Sequence, residues 1–249
     1  MEMFNDHICE NDEKERKNIH LLGKSNEMAV SLILSENEYN KTFFPLIVLY
    51  APPGCGITTV VELVEKRGKE LGKKITVKKC TDFTNEIIDS MKNFHDDLIL
   101  KYSKTDILII EDVDTDLKGK ISTQKYMMDI VERMVSEEKQ IMFTMSIAPN
   151  KLLSGLDERL KEKLQNSVYL ELQPPTKKMR KALVKCWKKE NELNISKKAI
   201  SIIVQATDSS SYSTIYGVLK QLELYWNFFE KKIDKKLAKR ILRQRRLLE

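Results

Sequence analysis

The stretch Leu46-Ile-Val-Leu-Tyr-Ala-Pro-Pro-Gly-Cys-Gly-Ile-Thr-Thr59 reads as a buried strand, a tight glycine turn and a helix start in immediate succession. That succession is the phosphate-binding loop G-x-x-x-x-G-K-[ST]. In the working form, backbone N–H groups wrap the phosphates, the lysine reaches the outer phosphates and the hydroxyl holds magnesium. Here the match is partial. Ala51 stands at the first glycine, Gly56 and Thr58 are in register, and Ile57 occupies the lysine position. The candidate cradle is Pro53, Gly54, Cys55, Gly56, Ile57, Thr58 and Thr59. A charge-assisted hydrogen bond is worth about 1.5–3 kcal/mol, so losing the lysine predicts triphosphate binding weakened by about ten- to a hundredfold. Catalysis suffers further, because the lysine also stabilises charge developing in the transition state.

Downstream, Asp106-Ile-Leu-Ile-Ile-Glu-Asp112 is an apolar strand with two acids at its carboxyl end. In an open parallel sheet that edge binds ligands, and it also carries the glycine loop. The pattern is that of a Walker B strand, with Glu111 as magnesium ligand beside Thr58 and Asp112 as water-orienting base. Taken alone these residues read equally well as a strand end with solvated acids. A glycine loop about fifty residues upstream favours the nucleotide-site origin.

Around these anchors strands and helices alternate. A helical pattern runs from Ser25 and fades near the Asn37–Lys41 loop, and residues 1–17 read as a mobile polar arm. The helix after the loop is expected from about Thr58 to Gly68. Lys74–Lys79 is a second strand, followed by a helix capped by Asp82 or Thr84 and a shorter helical piece over 95–102. A helix over 123–138 buries Met127, Ile130, Val131 and Met134. Gln140–Met145 and Val168–Leu172 are strands, with Ser146, a Pro149 turn and a charged segment over 157–163 between them. After Gln173-Pro-Pro-Thr176 only helices follow, over about 176–192, 196–207, 211–230 and 234–247. The expected organisation is an arm at 1–17, an α/β domain at 18–173 and a helical lid at 174–249.

With 249 residues and 41% hydrophobic content the chain can bury a real core. No run of about 18 apolar residues suggests a membrane span, and the polar, acidic start does not read as a signal peptide. The four cysteines lie far apart without a C-x-x-C pair, which argues against a disulfide framework or zinc site. A cytoplasmic location without membrane contact is expected. The three histidines are scattered and carry no assignment. Net charge is +6, and its excess collects between Lys231 and Arg246, where nine residues are basic and only Asp234 is acidic.

Several stretches together look like the DnaA replication-initiator family. They are Phe83-Thr-Asn-Glu-Ile-Ile-Asp-Ser-Met-Lys-Asn93, Tyr102, Asp106–Val113, Gln140-Ile-Met-Phe-Thr144, Leu156-Asp-Glu-Arg-Leu160 and Leu170-Glu-Leu-Gln-Pro-Pro175. The resemblance covers about residues 18–243. It implies an AAA+ fold: a P-loop parallel sheet flanked by helices, then a small helical lid, with a helical insertion at about Cys80–Lys104 between the second and third core strands.

Carried over position by position, the resemblance places Ser146 at an acidic sensor 1 position and Ser213 at the sensor 2 arginine. Lys163 falls at the arginine finger and lacks arginine's planar fork. Arg159 is retained, and both belong to an inter-subunit contact in the family. The exchanges imply a pseudo-ATPase with no cofactor expected, or at most weak binding of ADP or ATP with magnesium. The family's C-terminal helix-turn-helix and N-terminal helicase-contacting domains have no counterpart in these residues. Such a module resembles the regulatory paralogue Hda, which implies replication proteins, DnaA foremost, as partners. Residues 1–17 hold no glutamine-leucine clamp-binding peptide, which speaks against the sliding clamp. The alternatives are an ATP-binding switch or helicase loader, and a nonspecific nucleic-acid binder using the basic C-terminal helix.

Overall fold

The computed structural model describes residues 24–34, 44–93, 97–148, 151, 155–208 and 210–248. The arm at 1–17, the loop around 37–41, His95 and Pro149 lie outside them. The chain divides into two compact units. One holds Lys24–Leu172, and the other holds the helices that follow Gln173.

The first unit is built on five parallel strands: β1 (Leu46–Tyr50), β2 (Ile75–Lys79), β3 (Ile107–Glu111), β4 (Gln140–Met145) and β5 (Val168–Glu171). Their order is β2-β3-β4-β1-β5. Register pairs Leu46 with Ile141, Leu108 with Ile141 and Ile47 with Val168. β1, β3 and β4 are apolar almost throughout because both faces are covered. On one side Val48, Leu108, Ile110 and Phe143 join a core with residues of α3 (Cys80–Asn93), α4 (Asp97–Ser103) and α6 (Ile121–Ser136). Alternate residues such as Ile47, Leu49 and Ile109 are buried as well.

Two local expectations need correction. Gly68 does not end the helix that follows the glycine turn: α2 runs from Ile57 to Glu70. Gly68 is buried inside it, and a Cβ there would lie 2.2 Å from Ile75 Cδ1. Close packing of helix on strand, not termination, is what calls for glycine. Neither Asp82 nor Thr84 precedes α3, which starts at Cys80 directly after β2. The segment over 157–163 is α7 (Glu158–Gln165), capped by the Asp157 side chain and holding Leu160 and Leu164 in the core. A one-turn helix, α5 (Val113–Asp116), follows the acid pair.

α3 and α4 form the insertion between β2 and β3. Phe83 and Tyr102 meet edge to face at 5.1 Å. Glu86 binds Lys78 Nζ at 2.6 Å, Lys101 Nζ at 2.8 Å and Tyr102 Oη at 2.6 Å. One carboxylate thus ties both helices to β2.

Among its described residues the second unit has four helices, α8 (Lys177–Glu190), α9 (Lys197–Ala206), α10 (Tyr212–Phe229) and α11 (Lys235–Gln244). Thr176, Ser196, Ser211 and Asp234 cap them in turn, each side chain accepting from a helix N–H. Leu237, Ala238, Ile241 and Leu242 of α11 face the core, leaving Lys235, Lys236, Arg240 and Arg243 exposed. Arg180, only 4% exposed, donates to Pro175 O at 2.9 Å, Val204 O at 3.3 Å and Asp208 Oδ1 at 2.5 Å.

Candidate functional site

β4 lies between β1 and β3, so the glycine turn, the acid pair and Ser146 emerge along one edge of the sheet. Gly54 and Gly56 carry the turn at φ 80° and 102°, conformations that L side chains rarely adopt. Cys55 N–H donates to Pro52 O at 3.2 Å, and Ala51 N–H donates to Met145 O at 3.2 Å. Cys55 is buried, which pushes its thiol up and keeps it unreactive. Gly56 is the N-cap and offers no side chain, so the first N–H groups of α2 are the donors that a helix start presents to an anion. Pro53, Gly54 and Thr58 are exposed, whereas Ile57 and Thr59 are partly buried.

The charges on this edge are mostly negative. Glu111, half-buried at the end of β3, has its carboxyl raised by burial and by Asp112, with Glu62 and Glu65 of α2 adding to the effect. Lys79, paired with it across β2 and β3, opposes the shift. Thr58, Glu62 and Glu65 recur at helical spacing, so the α2 face that begins with Thr58 is the one felt at Glu111. Asp112 is exposed at φ 58°, and its N–H donates to Thr144 Oγ1 at 3.1 Å.

Ser146 does not project alone. Its N–H and hydroxyl both donate to Asp114 Oδ2, at 3.0 and 2.5 Å. Asp116 accepts from Lys120 Nζ at 2.6 Å and from the Thr84 hydroxyl, and these bonds hold its carboxyl below the usual range. The acids after β3 therefore clamp α5 to β4 and α3. Sequence reading passed over Asp114, Thr144 and Lys79. The signals were a further acid two residues beyond the pair and a hydroxyl within the apolar run of β4.

Arg159 and Lys163 are elsewhere. Both line a groove of about 400 Å³ with Pro45, Leu46 and Val168, at the amino-terminal edge of the sheet. Arg159 contacts Glu132 at 2.7 Å and Asp129 at 3.4 Å, so its cation is engaged within the chain. Ser213 sits in the first turn of α10, exposed, its Oγ 3.2 Å from that of Ser211. The structure thus brings together the glycine turn, Glu111, Asp112 and Ser146, and sets Arg159 and Lys163 at the opposite edge.

Among the described residues no helix is long and apolar enough to cross a membrane, and no group of histidine, cysteine and acids has metal-site spacing. The fold is that of domain III of the Thermotoga maritima replication initiation protein DnaA, with TM-score 0.74, 23% identity, and coverage of 90% of this chain and 93% of that one. AMPPCP-bound DnaA from Aquifex aeolicus matches with TM-score 0.70 and 23% identity, over 83% of this chain and 64% of that one. The chromosomal replication initiator protein DnaA of Campylobacter jejuni is 27% identical over 232 residues, 90% of this chain and 51% of the relative. The chain therefore spans about half the length of the curated relatives it matches. The model of the bacterial DnaA ATPase domain matches residues 13–171. With its parallel AAA+ sheet, glycine turn and acid pair in that order, the chain belongs to the bacterial DnaA ATPase domain family.

Proposed function

We propose that this chain is a DnaA-type AAA+ module that acts on replication initiation through contacts with replication proteins, DnaA foremost, without turning over ATP. The observation that carries this reading is the charge around the glycine turn. The backbone of a phosphate cradle is present, but Ile57 supplies no cation, and Glu111 feels Asp112, Glu62 and Glu65 against Lys79. An anion with several negative charges meets net repulsion where an intact loop gives attraction. Should a magnesium nucleotide bind weakly, Thr58 and Glu111 are the oxygen donors on offer, and magnesium supplies charge neutralisation of the phosphates. Ser146, bonded to Asp114, and Ser213 add hydroxyls where the family pattern has charged sensors.

Arg159 fits the same reading, since its pairing with Glu132 and Asp129 gives a neighbouring subunit's phosphates little free charge to use. An adaptor or regulator needs the AAA+ surfaces but not hydrolysis. Equilibrium binding of labelled ATP with magnesium, alongside phosphate release, tests it. Micromolar affinity with steady turnover overturns the proposal. Weak diphosphate binding through backbone amides does not.

The second reading, an ATP-binding switch or helicase loader, is favoured by the left-handed glycines and open helix start. It requires tight nucleotide binding and a nucleotide-dependent partner, so the same titration separates the two. A pull-down with and without ATP then names the partner.

A further inference from the structure

The last two turns of α10 leave large apolar side chains in solvent. Phe228 is 75% exposed, and Leu224 and Phe229 are each 57% exposed. Leu224 and Phe228 are four residues apart, as are Tyr225 and Phe229, so the four form a continuous strip along the helix. Tyr225 and Phe229 rings lie 4.7 Å apart at 39°, and the Arg240 guanidinium of α11 lies 5.8 Å from the centre of the Tyr225 ring. Large apolar side chains exposed side by side mark a contact surface. The surroundings are positive. Between Lys220 and Arg243 eight residues are basic and three are acidic. Lys220 precedes Leu224 by one turn, Lys231 and Lys232 follow the helix, and Lys236 and Arg240 lie on the exposed side of α11. Of the acids, Glu223 is partly buried beside Leu224, Glu230 is exposed at the end of α10, and Asp234 accepts from the Leu237 N–H as a helix cap.

Residues 1–13 carry the opposite pattern. Glu2, Asp6, Glu10, Asp12 and Glu13 stand among them with no lysine or arginine. Met1, Phe4 and Ile8 recur at intervals of three and four, the spacing that gathers apolar side chains on one side of a helix. We propose that this segment of the same chain docks on the strip, with Phe4 and Ile8 supplying the apolar contact and the acids answering the bordering lysines. Complementary charge suppresses wrong partners and fixes register, while the apolar strip supplies the area that leaves water. Both parts belong to one chain, so the local concentration of the segment is high and a weak contact is enough to hold it. A second copy fits less well, because it brings strips of like charge face to face.

The test uses the full chain. Asn227→Cys places a thiol on the exposed side of α10 between Leu224 and Phe228, and Cys9 supplies its partner, whereas Cys55, Cys80 and Cys186 are buried. Copper–phenanthroline oxidation in dilute solution is expected to join Cys9 to the new thiol within one chain, and to do so far less in Lys198→Cys, exposed on α9. In parallel, a fluorescein-labelled peptide of residues 1–13 is followed by anisotropy in reducing buffer. It is expected to bind the Phe4→Asp/Ile8→Asp chain about tenfold or more tightly than wild type, whose own segment competes, and to lose that gain when Phe228→Ala/Phe229→Ala is added. Circular dichroism and thermal melting establish that the variants are folded. Equal peptide affinity in all of these chains overturns the proposal, as does cross-linking no greater than at position 198. It is also overturned if the links join two chains, or if the strip captures anionic vesicles or a thymidine oligomer while the peptide is ignored.

Discussion

Ser146 gives both its backbone N–H and its hydroxyl to one oxygen of Asp114, at 3.0 and 2.5 Å. The residue after β4 is thereby fastened to the short helix after β3. A negative charge is already present beside the position where the family pattern has an acid, supplied by a neighbour and committed to holding the loop.

Removing the hydroxyl in Ser146→Ala is expected to cost about 1 kcal/mol of stability, since the backbone bond to Asp114 remains. Ser146→Asp sets a second carboxylate against Asp114 and is expected to cost more at pH 7 than Ser146→Ala does. Urea denaturation at pH 7 measures both. A Ser146→Asp chain as stable as wild type at pH 7 contradicts the arrangement.

Ile57→Lys restores one cation to the loop. It is expected to improve ATP affinity by about tenfold, in line with one charge-assisted bond, and to leave hydrolysis near background. Ser146, Ser213 and Lys163 are unchanged by it. Turnover close to that of an intact initiator in this single variant shows that those positions matter less than proposed.

The Glu86 carboxyl is the titrating anchor of the insertion. Burial raises its pKa, but hydrogen bonds from Lys101, Lys78 and Tyr102 outweigh burial and bring it down to about 2. An unfolded glutamate titrates at about 4.3, so the stabilisation is fully present above that pH and fades as pH falls toward 2. At this partly exposed position, Glu86→Gln is expected to cost about 1–2 kcal/mol at pH 6 and little at pH 2. Parallel melts of the two proteins across that range check it; a gap that does not close on acidification counts against the assignment.

Gly68→Ala places a methyl 2.2 Å from Ile75 Cδ1 and 3.3 Å from Ile75 Cγ1. The obstacle is the tip of one side chain, which can turn aside, so overpacking at the low end of about 1–3 kcal/mol is set against a helix-propensity gain of about 1 kcal/mol, and a small net loss at most is expected. In an Ile75→Val background the offending atom is gone, and Gly68→Ala is expected to be neutral or stabilising. A double-mutant cycle by chemical denaturation reads the difference.

Local chemistry was enough for much of this protein. An apolar run of five residues bounded by prolines, such as Leu46–Tyr50, suits a strand buried on both faces, and Gly54 and Gly56 mark a turn no other residue makes easily. Thr176, Ser196, Ser211 and Asp234 announce helices because a short polar side chain satisfies the N–H groups just beyond it. That Ile57 carries no charge is plain from the sequence alone. The tertiary structure decided the rest, because those features join residues that no period relates. Asp114 reaches Ser146 across 32 positions, Arg180 reaches Asp208 across 28, and Arg159 pairs with Glu132 across 27. Gly68 reads as a helix end along the chain, since glycine is a poor helix former. Only the approach of β2, whose Ile75 side-chain tip lies where a Cβ would stand, shows that it belongs inside one.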